Sequence, residues 1–189
     1  MKNFLKIAQN VDVMPLLLAI ARQPELWKED TYLRDYPQGP FAQIETIMLR
    51  FPVKSVVETE EALKAALVHY DQHENIDYPA YYKLHEARPL VMNLMAYVKG
   101  ERLGRVMINK IAPGGRIFPH ADTPVYAEYW SRHHICLQSS PGYIFRCGDE
   151  QVSMRAGEIW WFNNKIEHEV LNNGADDRIS MVVDIRTSR

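Results

Sequence analysis

Beyond Gly100 the chain breaks into short β runs punctuated by turns, and no other pattern in it restricts the fold as much. Residues 103–111 form the first run. Residues 133–137 follow, then a turn at Ser139-Ser140-Pro141-Gly142, and 143–147 return. Gly148-Asp149 turns the chain again, and runs at 152–154, 158–162, 168–171 and 179–185 complete the set. Strands separated by turns about every eight to twelve residues build an antiparallel sandwich or barrel. The expected fold class is mainly β with flanking helices, a double-stranded β-helix (jelly roll).

The first hundred residues read differently. Asp12 is placed to cap a helix whose apolar side carries Met14, Leu17, Leu18 and Ile20, ending near Gln23-Pro24. Tyr36-Pro37-Gln38-Gly39-Pro40 is a loop rich in turn residues. Residues 44–50 alternate as a strand closed by Phe51-Pro52. Residues 60–70 carry Leu63, Ala66 and Leu67 at helical spacing, with Thr59 as N-cap. Pro89 suits the first turn of another helix over 90–99, ended by Gly100. We therefore expect one domain over 1–189: a helix-rich part over 1–100, and a jelly-roll core over 101–189.

Composition removes several function classes. The 189 residues carry 22 Lys plus Arg against 24 Asp plus Glu, a net charge of -2, so no basic excess predicts a nucleic-acid groove. The apolar run at 13–20 contains Pro15 and is too short for a signal peptide or a bilayer span, so no membrane partner is expected. Cys136 and Cys147 do not form a disulfide framework; two buried free thiols and a cytoplasmic location are expected. The sequence leaves the oligomeric state open.

The chemistry gathers at Pro119-His120-Ala121-Asp122, which follows a turn at Gly114-Gly115, and at His168 further on. Residues two apart on an extended segment point to one face, so His120 and Asp122 can reach one ion. Two imidazoles and a carboxylate make the facial triad that holds non-haem Fe(II) and leaves coordination positions open. An isolated His-x-Asp is a common surface pair; a feature ten residues after His168 raises its weight. Arg178 and Ser180 face one side of a strand, and a guanidinium beside a hydroxyl receives a carboxylate. His69 and His73, four apart, read as a solvated helix end.

This constellation resembles the aspartyl/asparaginyl β-hydroxylase family of Fe(II)/2-oxoglutarate-dependent oxygenases. The resemblance covers roughly residues 106–186. Its elements are Pro113-Gly114 through Ile117 to Pro119-His120, then Arg132-His133-His134. After these come Gly157-Glu158-Ile159, Phe162-Asn163-Asn164, His168-Glu169-Val170, Arg178 and Val182-Val183-Asp184-Ile185. It implies Fe(II) and 2-oxoglutarate as cofactor and cosubstrate, with dioxygen consumed and a C–H hydroxylated. By matching position, His120 and His168 would be iron ligands, Arg178 would bind the distal carboxylate of 2-oxoglutarate, and Arg132 and His134 would help to hold it. Some animal members lack the acid at the position of Asp122. Its retention here points to the bacterial small-molecule hydroxylases of the group, and to hydroxylation rather than halogenation.

Weaker expectations complete the site. Asn109 is placed toward the cosubstrate. Tyr126, Tyr129 and Trp130, on the segment after the His-x-Asp, are candidates for a substrate wall. The substrate expected is a small molecule, an amino acid or a derivative. A protein Asp, Asn or other side chain is the alternative, and a non-enzymatic cupin-like metal- or ligand-binding protein is a second. A cupin usually groups histidines as His-x-His, whereas His133-His134 are adjacent. A zinc hydrolase lacks a placed general base.

Overall fold

A computed structural model describes residues 1–36, 39–54, 71 and 73–188. The helix expected over 60–70, with Thr59 and His69, lies outside them. In chain order the elements are β1 (Phe4–Ala8), α1 (Met14–Ala21), α2 (Leu26–Glu29), α3 (Tyr32–Asp35), β2 (Glu45–Phe51), β3 (Ile76–Asp77), α4 (Pro79–Lys83) and α5 (Ala87–Tyr97). Then come β4 (Gly100–Ile111), β5 (Arg116–His120), α6 (Pro124–Tyr129), β6 (Ser131–Gln138), β7 (Tyr143–Cys147), β8 (Glu150–Val152), β9 (Ile159–Phe162), β10 (His168–Asn172) and β11 (Arg178–Thr187).

The strands form two antiparallel sheets. One has seven strands in the order β1-β9-β6-β11-β4-β2-β3, the other four in the order β5-β10-β7-β8. Phe4, Ile111, Cys136, Trp160 and Phe162 of the large sheet pack on Ile117, Tyr143, Phe145, Cys147 and Val170 of the small one. The opposite face of the large sheet is covered by α1, α2, α4 and α5 through Leu16, Trp27, Tyr81, Leu84, Val91 and Leu94. This is the expected jelly roll with helices on one side.

Several local expectations need correction. The apolar side of α1 is Leu16, Ala19 and Ile20; Met14 and Leu18 are 55% and 47% exposed. The run Met-Pro-Leu-Leu-Leu-Ala-Ile-Ala is apolar almost all round, so its periodicity does not say which stripe faces the sheet. Asp12 does accept a bond from the Met14 N–H, at 3.1 Å. Helix α5 ends through Lys99 at φ +54, and Gly100 opens β4 instead of closing the helix. A Cβ at Gly100 would lie 2.6 Å from Ile185 Cγ2 and 2.8 Å from Met95 Sδ, so only glycine lets α5 and β11 close there. The strand expected at 152–154 sits at Glu150–Val152, leaving Met154 in the core.

The N-terminal part is more β than expected. Strand β2 pairs along β4, with Thr46 opposite Asn109. Strand β1, unforeseen in the sequence, pairs with β9. Both extend the large sheet, so its edges are made by the first eighty residues. Cys136 and Cys147 are free and buried, on different sheets.

Candidate metal centre

Ala112-Pro113-Gly114-Gly115 turns β4 into β5. Gly115 N–H donates to the Ala112 carbonyl at 2.9 Å, and Gly114 takes φ +77. Pro then Gly at the two central positions is the composition a type II turn demands. The turn aims β5 along β10, where His120 and His168 are direct cross-strand partners. Their rings tilt at 55° with centroids 4.3 Å apart. Asp122 follows β5 by two residues, and its backbone is held by a 3.2 Å bond from its N–H to the Asn164 carbonyl. One ligand atom from each of His120, Asp122 and His168 lies within 4.8 Å of the others, a spacing that suits one metal ion.

The tautomers follow from chemistry. His120 Nδ1 lies 2.8 Å from the Phe118 carbonyl, and His168 Nδ1 lies 2.9 Å from the Ile166 carbonyl. A carbonyl only accepts, so each Nδ1 carries the proton and each Nε2 keeps its lone pair for a metal. Burial pushes both imidazoles down; for His168, with His120 adding to the effect, the pKa falls to about 4. Both rings are thus neutral near pH 7, as ligation requires. Burial alone would raise Asp122. The Arg132 guanidinium, the Asn164 amide and the two imidazoles outweigh it and hold the acid below the usual carboxylate value.

Arg132 lies between two carboxylates. Its Nη1 is 2.8 Å from one oxygen of Asp122, and its Nε and Nη2 reach Asp184 at 2.8 and 2.9 Å. Asn164 Nδ2–H donates to Asp122 at 2.8 Å. Arg132 thus meets Asp122 and a buried counter-ion, Asp184, and also lines the narrow space beside His120, His168 and His134. Asn164 and Asp184 were visible in the sequence only as parts of a turn and a closing strand; their roles depend on partners 42 and 52 or more residues away.

Deeper between the sheets, the even-numbered residues of β11 meet β6. His134 Nδ1 is 3.1 Å from Ser180 Oγ and 3.5 Å from Arg178 Nη2. Burial, then Arg178, keeps His134 well below the ordinary imidazole value, so it is neutral. Arg178 is 1% exposed, its Nε and Nη1 have no partner, and its guanidinium lies 4.4 Å from the centre of the Tyr143 ring. The Tyr143 hydroxyl is also buried without a partner. Asn109 Oδ1 accepts from Thr46 at 3.0 Å, and its side chain lines the space between His120, His168 and His134. That space is narrow, about 30 Å³.

The three aromatic candidates separate. Tyr126, on α6, is buried, donates to Asp184 at 2.5 Å and lines a cavity of about 400 Å³ that also reaches Asp122. Tyr129 and Trp130 do not line that cavity. The Trp130 indole N–H donates to His73 Nδ1 at 3.0 Å, and Tyr129 stacks on His73 at 4.1 Å. His73 thus belongs to an aromatic cluster; the helix whose end it was expected to mark, with His69, lies outside the described residues.

Comparison with known proteins agrees with this architecture. Residues 68–188 match the family model described as Aspartyl/Asparaginyl beta-hydroxylase. No curated protein sequence matches the chain. Among solved structures, AviO1 from Streptomyces viridochromogenes Tue57 aligns with a TM-score of 0.54 at 13% identity, over 98% of this chain and 90% of that one. A Pseudomonas putida prolyl-4-hydroxylase aligns with a TM-score of 0.52 at 13% identity, over 100% of this chain and 95% of that one. At such identity these two likenesses speak for the fold alone.

Proposed function

The chain belongs to the aspartyl/asparaginyl β-hydroxylase family, and on that premise we propose that it hydroxylates a C–H of a small molecule, an amino acid or a derivative of one. It is a 2-oxoglutarate-dependent hydroxylase with Fe(II) as its metal, so the cupin-like binding alternative falls away. The observation that carries the reading is the three-ligand cluster with both Nε2 atoms left free by their Nδ1 bonds.

His120, Asp122 and His168 would hold the iron. The donor set fits: two neutral imidazoles and one anionic carboxylate leave coordination positions open. Arg178 fits a carboxylate equally well, because a fully buried guanidinium with two unpartnered N–H groups wants an anion. Ser180 Oγ stands beside it, and the neutral His134 adds a polar contact without a competing charge. The space between them is narrow, about 30 Å³, with Met107 and Phe41 also in its lining. When bound, the metal and cosubstrate supply the oxidising power for C–H hydroxylation. Arg132 and Asn164 orient Asp122 so that it presents a fixed oxygen to the ion, and Asn109 walls the cosubstrate space.

A small-molecule substrate is supported by the 400 Å³ cavity at Asp122, which lies within the range of small-ligand pockets. No helix among the described residues is long and apolar enough to cross a membrane. The two buried free thiols support a cytoplasmic setting. The test is anaerobic loading with Fe(II) and 2-oxoglutarate, admission of oxygen, and measurement of succinate with free amino acids and with peptides. Free amino acids should stimulate succinate release and gain one oxygen atom by mass. Stimulation by peptides alone would overturn the small-molecule reading.

A further inference from the structure

On the inner face of β4, two residues before Met107 and four before Asn109, stands Arg105. Side chains two apart share a face, and Met107 and Asn109 both line the cosubstrate space, so Arg105 continues that wall. It opens into the neighbouring 400 Å³ cavity that reaches Asp122. Its guanidinium is clamped between two rings, 4.1 Å from the centre of Tyr126 and 4.7 Å from that of Phe51. Among the described residues it has no hydrogen-bond or ion-pair partner, and its Nε is buried without one.

The nearby acids are engaged elsewhere. Asp184 accepts from Arg132 and from the Tyr126 hydroxyl, and Asp122 accepts from Arg132 and Asn164. Arg132, the neighbouring inward arginine, is neutralised by two carboxylates; Arg105 is not. A guanidinium stacked between two aromatic rings, with no acid paired to it among the described residues, can receive a carboxylate that arrives from outside. The rest of the cavity is largely aromatic: Tyr32, Tyr36, Phe41, Phe51 and Tyr126 surround it. Phe41 stands between this cavity and the metal ligands, 5.5 Å from the His120 ring.

We propose that Arg105 binds the carboxylate of the substrate, which is a free carboxylic acid with an apolar body that lies along the aromatic walls toward Asp122. The proposal rests on the hydroxylase reading above and narrows it. A residue inside a protein chain has no α-carboxylate to offer, so the anchor favours a free acid over any peptide except one that presents an acidic side chain, which the capped aspartyl peptide below tests.

The probes are the twenty free L-amino acids, their carboxamides, and a capped peptide containing one aspartate. Each is titrated calorimetrically, without oxygen, into the protein loaded with Fe(II) and 2-oxoglutarate. At least one free acid should bind, and its carboxamide should bind at least about tenfold more weakly, the loss of one charge-assisted pair. Arg105→Gln should weaken the acid by the same factor and erase the difference between acid and amide. Arg105→Lys, which keeps the charge but loses the fork, should fall between, and circular dichroism checks that both variants fold. Equal binding of acid and amide, tighter binding of the capped peptide, no binding of any free acid, or an Arg105→Gln protein that still prefers the acid would each overturn the proposal. Oxygen-dependent consumption of 2-oxoglutarate by the wild-type protein tests the underlying reading separately: if it occurs, such a result removes only the anchor.

Discussion

Along β11 the odd-numbered residues Ile179, Met181, Val183 and Ile185 pack under the helices, whereas Arg178, Ser180 and Asp184 face the small sheet. The same division runs through β6, where Ile135 and Leu137 oppose Arg132 and His134, and through β4, where Val106 and Ile108 oppose Met107 and Asn109. One face of the large sheet is an apolar core apart from His133, which is buried beside Val183. The other buries Arg132, Arg178, His134 and Asp184, which stabilise the fold poorly unless each charge is matched. A sheet gives both faces for one set of backbone bonds, so one face can carry stability while the other carries a site.

Four experiments set these faces against each other. His168→Ala, on β10 of the small sheet facing that inner side, should nearly abolish metal-dependent turnover, with a smaller loss of stability in the metal-free protein from the ring's packing on Phe162 and Phe145. A folded His168→Ala protein with near-normal succinate release would remove it as a ligand. On the outer face, Ile185→Ala should cost about 2–5 kcal/mol of stability through the cavity it leaves. Turnover per folded molecule should stay within about twofold; a large loss of turnover without destabilisation would merge the two faces.

Acid should act through the metal centre as well. An unfolded histidine titrates near 6.5, whereas His168 in the folded protein titrates at about 4. Between those values the unfolded chain binds a proton that the folded one refuses. Stability of the metal-free protein is therefore present above pH 6.5 and falls as pH drops toward 4, by about 3 kcal/mol from this group. Thermal melts from pH 7 to 4.5 that showed no decline would contradict a buried neutral ring. The smallest expected effect is Arg178→Met. It should raise the 2-oxoglutarate requirement about tenfold or more while leaving stability unchanged or improved, since it removes a buried, unpartnered cation. Calorimetric titration of 2-oxoglutarate into the iron-loaded variant measures the first effect and thermal melting the second.

Much of this is legible in the sequence. The β runs after Gly100 lie within a few residues of their observed bounds, because period-two patterning and turn residues are local signals. The shared face of Arg178 and Ser180 is a consequence of that period. Strand β1 was not readable: five residues form a strand only against β9, about 150 positions on. The exposed stripe of α1 was misread because an all-round apolar helix carries no marker of its partner. Arg105 is illegible for a related reason: an arginine on a strand has no functional meaning until the acids around it are known.

The sequence by itself determined which side chains share a face, where the chain turns, and which donor types stand at His120, Asp122 and His168. Those follow from backbone geometry and side-chain chemistry, which act over a few residues. Tertiary structure alone decided that His168 lies opposite His120, that Arg132 is matched by Asp122 and Asp184, and that Arg178 and Arg105 have no acid paired to them among the described residues. Charge compensation in a low-dielectric interior depends on distance in space, and the partners that set it are tens of residues apart along the chain.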